Sequence, residues 1–291
     1  HYGNRSDEYA KRNSGISYQQ ILAEGGGIHN TMNSTSNCTD DQLRDNTLKR
    51  LKRHFLEGVL TCEVKSGYAP SLEDEIRMLK IINKIDSDNE IDLIPTCLAA
   101  HVTPKSFGSS KQYLESIINE LLPKIKEENL SKRVDIFIEE KAFSVSEASH
   151  FLKHVKNDFS ITAHANQFTS GGLRVGVDYG AVSVDHLEVI TDDEINYLSK
   201  SNTTGVVLPG CSLGLGIPFA PARKLLDNNC KVSIASDWNP GSAPMGDLLM
   251  QASLLGSYEK LSNAEVLAGI TCRSASALSL IDRGSLDEGK I

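Results

Sequence analysis

Lys231-Val232-Ser233-Ile234-Ala235 is an alternating run rich in β-branched residues, and it leads into Ser236-Asp237-Trp238-Asn239-Pro240-Gly241-Ser242. The alternation predicts a strand, and the Asn, Pro and Gly predict the turn that stops it. A lone acid, Asp237, therefore stands at the C-terminal end of a strand. By itself such an acid reads as a turn cap.

The same pattern recurs upstream. Apolar runs at 59 to 64, 92 to 98, 134 to 138, 160 to 164, 182 to 185 and 204 to 208 make, with 231 to 235, seven predicted strands. Helical patterns lie at 39 to 56, 71 to 85, 111 to 128, 146 to 156, 169 to 179, 191 to 200 and 219 to 228, then at 245 to 255 and 262 to 278. Thr39, Ser71, Thr191 and Ser262 supply caps, and Thr191 with Glu194 forms an S/T-x-x-E box. Regular alternation of strand and helix is the mark of β-α units on a parallel sheet. The 291 residues suit one α/β barrel of about 250 residues. The expected fold is thus a (β/α)8 TIM-type barrel, one domain over residues 1 to 291, with its first strand outside the sequence. A doubly wound open sheet is the alternative. No strand precedes Gly25-Gly26-Gly27 and no Lys-Ser/Thr follows it, so residues 23 to 31 read as a flexible turn rather than a phosphate loop.

The net charge is −8, and Lys and Arg are scattered. That excludes the basic surface nucleic acid requires. No apolar run approaches the ~20 residues that cross a bilayer, and no signal peptide is evident. Cys38, Cys62, Cys97, Cys211, Cys230 and Cys272 form no C-x-x-C pair. They read as reduced packing thiols of a cytoplasmic protein, with a disulfide framework the alternative.

In an α/β barrel, chemistry gathers at the C-terminal ends of the strands. Here the apolar runs deliver Lys65-Ser66-Gly67-Tyr68, Ala100-His101, His164-Ala165-Asn166-Gln167, Asp185-His186 and finally Asp237. Three of the eight histidines ending three strands, with an acid ending the last, exceed what packing explains. His164 and Asp237 are candidate ligands for a divalent transition metal, which favours neutral imidazole and carboxylate. Two ligands are too few to hold it tightly. Glu139 and Lys141, after the run at 134 to 138, suit either bridging groups of a two-metal site or a solvated loop. His54, His150 and His154 on helical patterns, and His29 in the glycine loop, read as ordinary hydrogen-bonded histidines.

Glu63-Val64-Lys65-Ser66-Gly67-Tyr68, His164-Ala165-Asn166-Gln167, Asp185-His186-Leu187-Glu188 and Asp237-Trp238-Asn239-Pro240-Gly241-Ser242, with Gly3-Asn4-Arg5 and Gly25-Gly26-Gly27-Ile28, carry a resemblance over nearly the whole chain. The sequence resembles the imidazolonepropionases, a family of the amidohydrolase superfamily. The His and Asp elements point to the superfamily; K-S-G-Y and D-x-N-P-G-S single out the family. The resemblance implies one divalent metal, Zn or Fe, held by a His-x-His pair on the first strand, by His164 and by Asp237. That pair, and the family's small β-sandwich domain, would lie outside the sequence, the pair immediately upstream of His1.

The resemblance also implies catalysis by Asp237 and His186, with substrate contacts from Arg5, Tyr18, Tyr68, His101, Gln167, Asn239, Gly241 and Ser242. Arg5 would make a two-pronged pair with a propionate. Backbone N–H groups around Gly241 and Ser242 would address a second carboxylate or a formimino group. Gln167 stands where some members have Glu, so it is given no proton-transfer role. The implied reaction is hydrolysis of the ring amide C–N bond of 4-imidazolone-5-propanoate, a small molecule, to N-formimidoyl-L-glutamate in histidine degradation. A homodimer is implied too. The alternatives are another mononuclear amidohydrolase, such as a cyclic amidase or aminohydrolase, or an inactive fragment lacking the His-x-His pair.

Overall fold

A computed structural model of the chain describes every residue except 17–19, 22–23, 25 and 87–89. Seven strands run in chain order through one sheet: β1 (Thr61–Lys65), β2 (Asp92–Ala100), β3 (Arg133–Ile138), β4 (Ser160–Ala165), β5 (Ser183–His186), β6 (Thr204–Val207) and β7 (Lys231–Ile234). Every neighbouring pair is parallel. Each strand falls within two residues of its predicted place. A doubly wound sheet reverses its strand order at a switch point, and this order never reverses. The sheet is the curled wall of a barrel, and among the described residues β1 and β7 are not paired with each other.

Alternation decides which side chains the wall turns inward. In β3, Val134, Ile136 and Ile138 join the apolar layer beneath the helices, which leaves Asp135 and Phe137 on the other face. In β4, Ile161, Ala163 and Ala165 do the same, so Thr162 and His164 face inward. Register then places Phe137 beside His164 and His164 beside Asp185. The helices close the outer layer. Leu72–Asp86 buries Leu72, Met78, Leu79, Ile81, Ile82 and Ile85, each side chain contributing roughly 1.5–3 kcal/mol by leaving water. Among the described residues, capping boxes start four helices, at Thr39 with Gln42, Ser144 with Glu147, Thr191 with Glu194 and Ser262 with Glu265.

The structure departs from the sequence reading at several helices. Ser6–Asn13, Ile28–Asn37 and Pro209–Leu215 are helical although none carries a regular apolar stripe. The glycine stretch is not wholly a turn: Gly27, at φ 77°, caps the helix that begins at Ile28. His29 therefore lies on a helix rather than in a loop. The pattern at 262 to 278 is two helices, Asn263–Ile270 and Cys272–Ala277, broken at Thr271. The one at 111 to 128 includes a π-helical turn at Ile117–Leu121.

At the N-terminal ends of the strands, the Arg283 guanidinium donates to Thr61 Oγ1 and Asp92 Oδ2, tying the chain's last segment to β1 and β2. All six cysteines are free thiols, with Cys272 exposed. Among the described residues, no helix is long and apolar enough to cross a membrane.

Candidate active site

One cavity of about 1560 Å³ opens on the inner face of the wall. It is lined by Arg5, Tyr68, His101, His164, Gln167, His186, Asp237, Asn239, Gly241 and Ser242. Every candidate site residue named from the sequence meets there except Tyr18, which lies outside the described residues. The strand ends that deliver them are locally strained. Asn166 (φ 58°), His186 (φ 89°), Leu187 (φ 73°) and Asp237 (φ 46°) all adopt left-handed backbone, at a cost of about 1–3 kcal/mol each. Alternation alone would send Asp185 and His186 to opposite faces; the turn at His186 ends the pleat, and both line the cavity.

Beneath the cavity lies a charged network that the sequence reading missed. Lys65 Nζ pairs with Asp135 Oδ2 at 2.7 Å, Glu63 Oε2 at 3.1 Å and Asp185 Oδ2 at 3.2 Å. Asp135 also receives His164 Nδ1, at 3.1 Å from Oδ1 and 3.0 Å from Oδ2. Burial acts to raise the Asp135 pKa, but His164 and Lys65 outweigh it and hold the carboxylate far below its ordinary range. Burial likewise works against the Lys65 charge, and Asp135, Asp185 and Glu63 more than restore it. Asp135, His164 and Asp185 offer ligand atoms within 4.8 Å of one another, and both of these acids are already paired with Lys65. The consequence for His164 is a fixed ring. With Nδ1 committed to a carboxylate, Nε2 remains for the cavity.

Asp237 is placed differently. It is part-exposed to the cavity, and the hydrogen bond its carboxylate makes is a long one, 3.5 Å from Ser242 Oγ. Desolvation pushes its pKa above the ordinary aspartate value, against the pull of His186 and His164. The turn that carries it is knitted by Asn239, whose Oδ1 accepts from the N–H groups of Gly241 and Ser242 at 2.8 and 2.9 Å. Its Nδ2 donates to the Asp237 carbonyl and to Ser242 Oγ. The N–H groups of Gly241 and Ser242 are thus engaged inside the loop. Trp238 turns toward helix Asp40–Leu56, edge-on to His54 at 4.9 Å and under Arg53 at 5.2 Å.

Buried glutamates hold the remaining loops. Glu139 accepts from the N–H groups of Gln167, Phe168 and Thr169, so it is neither a metal bridge nor part of a solvated loop, although Lys141 beside it is exposed. Glu194 accepts from Asn166 Nδ2 and Gly171 N–H. Glu75 accepts from Gly67 N–H with both oxygens, fixing the turn at φ 99° that presents Tyr68 edge-on to His101 at 5.4 Å. Burial and then the neighbouring His164 lower the His101 pKa to about 4, which keeps that ring neutral. Its Nδ1 meets the Gly67 carbonyl at 3.1 Å.

Glu8 holds Arg5. The guanidinium gives Nε and Nη2 to Glu8 Oε2, both at 2.7 Å, and its Nη1 crowds the face of Gly241, where a β-carbon would collide with it. Its Nε edge is therefore taken, and the Nη1 end faces the cavity loop. Arg12 Nη2 donates to the Gly241 carbonyl at 2.7 Å.

The donor set suits a divalent cation. His164 offers an Nε2 whose ring is braced by a carboxylate, and Asp237 offers a carboxylate without a charged hydrogen-bond partner. Among the described residues two further groups bring ligand atoms within 4.8 Å of one another: Asp135, His164 and Asp185, whose acids share Lys65, and His186, Glu188 and Cys211.

Solved structures place this fold in a class. An atrazine chlorohydrolase from Arthrobacter aurescens TC1, complexed with zinc, superposes with a TM-score of 0.73 at 16% identity, over 94% of this chain and 68% of that one. An adenosine deaminase from Xanthomonas campestris with bound zinc gives 0.71 at 16% identity, over 94% and 65%. The fold is that of the amidohydrolase-type barrels. No family model matches the chain, but curated relatives do. Imidazolonepropionases of Caldanaerobacter subterraneus subsp. tengcongensis and Thermoanaerobacter pseudethanolicus are 39% and 40% identical over 100% of this chain, which spans 71% of each. That of Christiangramia forsetii is 38% identical over 99% of the chain. The chain belongs to the imidazolonepropionase family.

Proposed function

We propose that this chain carries the catalytic wall of a metal-dependent hydrolase that opens the ring of 4-imidazolone-5-propanoate to give N-formimidoyl-L-glutamate. The observation that carries the reading is one cavity in which a braced His164 and a charge-unpartnered Asp237 face Arg5, in a chain whose relatives are imidazolonepropionases. His164 through Nε2 and Asp237 through one oxygen would hold the cation, together with the His-x-His pair that the family resemblance implies. When bound, a Zn²⁺ or Fe²⁺ ion lowers the pKa of a water it holds toward ~7, so a nucleophile is present at neutral pH.

The side chains do the rest. Asp237 takes the proton from the attacking water and returns it to the ring nitrogen as the C–N bond breaks. The water oxygen stays on the former carbonyl carbon as part of a new carboxylate. The long contact from Ser242 leaves the Asp237 carboxylate an oxygen able to take up the proton. His186, in the same cavity, donates a hydrogen bond to the carbonyl oxygen as negative charge gathers on it. Burial acts against a charged His186, but Glu188 and Cys211 outweigh it and raise its pKa well above the ordinary value, which favours a ring able to donate.

Arg5 binds the propionate with the Nη1 end that Glu8 leaves available. Tyr68 and the neutral His101 flank the ring, and Gln167 lies across the cavity. The working enzyme is read as a cytoplasmic homodimer. Substrate selectivity tests the reading: Arg5→Ala in the full-length enzyme raises KM for 4-imidazolone-5-propanoate by about 10²-fold, and by less for an analogue lacking the propionate. Equal losses on both would remove Arg5 from carboxylate binding.

A further inference from the structure

Behind His186, away from the proposed substrate, Glu188 is buried and incompletely satisfied. His186 Nδ1 faces Glu188 Oε2 at 3.5 Å, with the two side chains 4% and 1% exposed. Both atoms are buried without a hydrogen-bond partner. Glu188 is anchored on its other side, where Oε1 accepts from the Ser212 hydroxyl at 3.2 Å, at helix Pro209–Leu215. Cys211 stands next to Ser212, and its Sγ receives Gln167 Nε2 at 3.1 Å. Residues two apart in a strand share a face, but here the pair meets across a turn in which His186 and Leu187 are both left-handed. That strained turn holds the carboxylate against the ring.

A buried carboxylate oxygen left unmatched costs about 1–3 kcal/mol or more, and so does the backbone that brings it there. The turn also buries Leu187 in the apolar core, but the unmatched Glu188 oxygen has no such return. The His186 Nδ1 3.5 Å away can supply the missing donor, because a small rotation of the imidazole closes the gap to hydrogen-bond distance, as happens when loose apo contacts tighten around substrate.

We propose that Glu188 is the positioning residue of His186: its Oε2 accepts from Nδ1–H and so fixes the ring with Nε2 directed at the substrate carbonyl. No proton passes between them. The arrangement follows the general logic in which a side chain that meets substrate is oriented by a third group behind it. This inference rests on the oxyanion-facing role given to His186 above.

A double-mutant cycle in the full-length, metal-loaded enzyme tests it. Glu188→Gln lowers kcat about 100-fold while KM stays within about threefold. In a His186→Asn background the same substitution changes kcat by less than about threefold, since Glu188 acts only through the ring. Equal losses in both backgrounds overturn the proposal, as does an unchanged kcat for Glu188→Gln where His186→Asn alone is impaired. A second measurement does not depend on the variants folding: ¹⁵N-histidine spectra of the zinc-loaded wild type show a protonated His186 Nδ1. A bare Nδ1 overturns it. Should His186→Asn alone keep full kcat while Nδ1 stays protonated, the catalytic role of His186 fails and Glu188 still positions the ring.

Discussion

Asp135 and Asp237 sit on the same inner face of the same barrel wall, and their surroundings could hardly differ more. Asp135 is fully enclosed and meets two cationic or donor partners, Lys65 at 2.7 Å and His164 at 3.0 Å. Asp237 opens to the cavity and makes one long contact with a serine hydroxyl. The first carboxylate is driven far down in pKa and the second upward. An acid already satisfied has nothing left to give a substrate; it can only aim its neighbours. An acid left unsatisfied at a cavity wall is available for a cation and a proton. Under the proposed function, the difference separates the residue that would hold the site from the one that would work in it.

The sharpest way to break that contrast is to remove each charge in turn. Asp237→Asn in the full-length enzyme lowers kcat by about 10³-fold or more, because it removes the proton carrier and a ligand together. Activity within tenfold of wild type would make Asp237 a turn residue after all. Asp135→Asn acts one step removed. It frees the His164 ring and leaves Lys65 to Asp185 and Glu63, so metal affinity falls about 10- to 100-fold in competition titrations against a chelator. Unchanged affinity would mean that His164 needs no brace.

Glu75 offers a smaller effect that sharpens the comparison, being a buried acid hydrogen-bonded to backbone and without a cation. Burial pushes its pKa to about 7, against the hydrogen bonds from Ser66, Gly67 and Ala69. A native value above the unfolded one means that the folded state holds the proton from pH ~4.5 to 7 while the unfolded state has lost it. The stability this lends is full below the unfolded value and disappears as pH rises through 7. Glu75→Gln lacks that dependence, so its Tm relative to wild type rises by roughly 5 °C between pH 5 and pH 8. A difference that stays constant with pH would place Glu75 among the paired acids instead.

The barrel wall was legible because period-two runs and capping residues are local signals, and the strand ends that they fixed delivered His101, His164, His186 and Asp237. The network under them was not. Lys65 and Asp135 are 70 positions apart in the chain, and only sheet register brings them together. One clue was available: Asp135 is the lone charge between Val134 and Ile138 in an otherwise apolar strand, and a buried charge demands a partner. Glu139 was misread for a related reason. Its position after a strand suggests a loop, but its partners are backbone groups of residues 167 to 169, which no pattern in the side-chain sequence reveals. Glu188 was visible only as part of a motif. The helices at Ser6–Asn13 and Ile28–Asn37 escaped because tertiary contacts, such as Glu8 to Gly27, support them in place of an apolar stripe.

Isotope incorporation by the full-length, metal-loaded enzyme tests the central claim most directly. Incubated with 4-imidazolone-5-propanoate in H₂¹⁸O, it forms N-formimidoyl-L-glutamate carrying one ¹⁸O in the new carboxylate, and chelation abolishes the reaction. No turnover of that substrate by enzyme with stoichiometric metal, or release of ammonia in place of ring opening, would contradict the account.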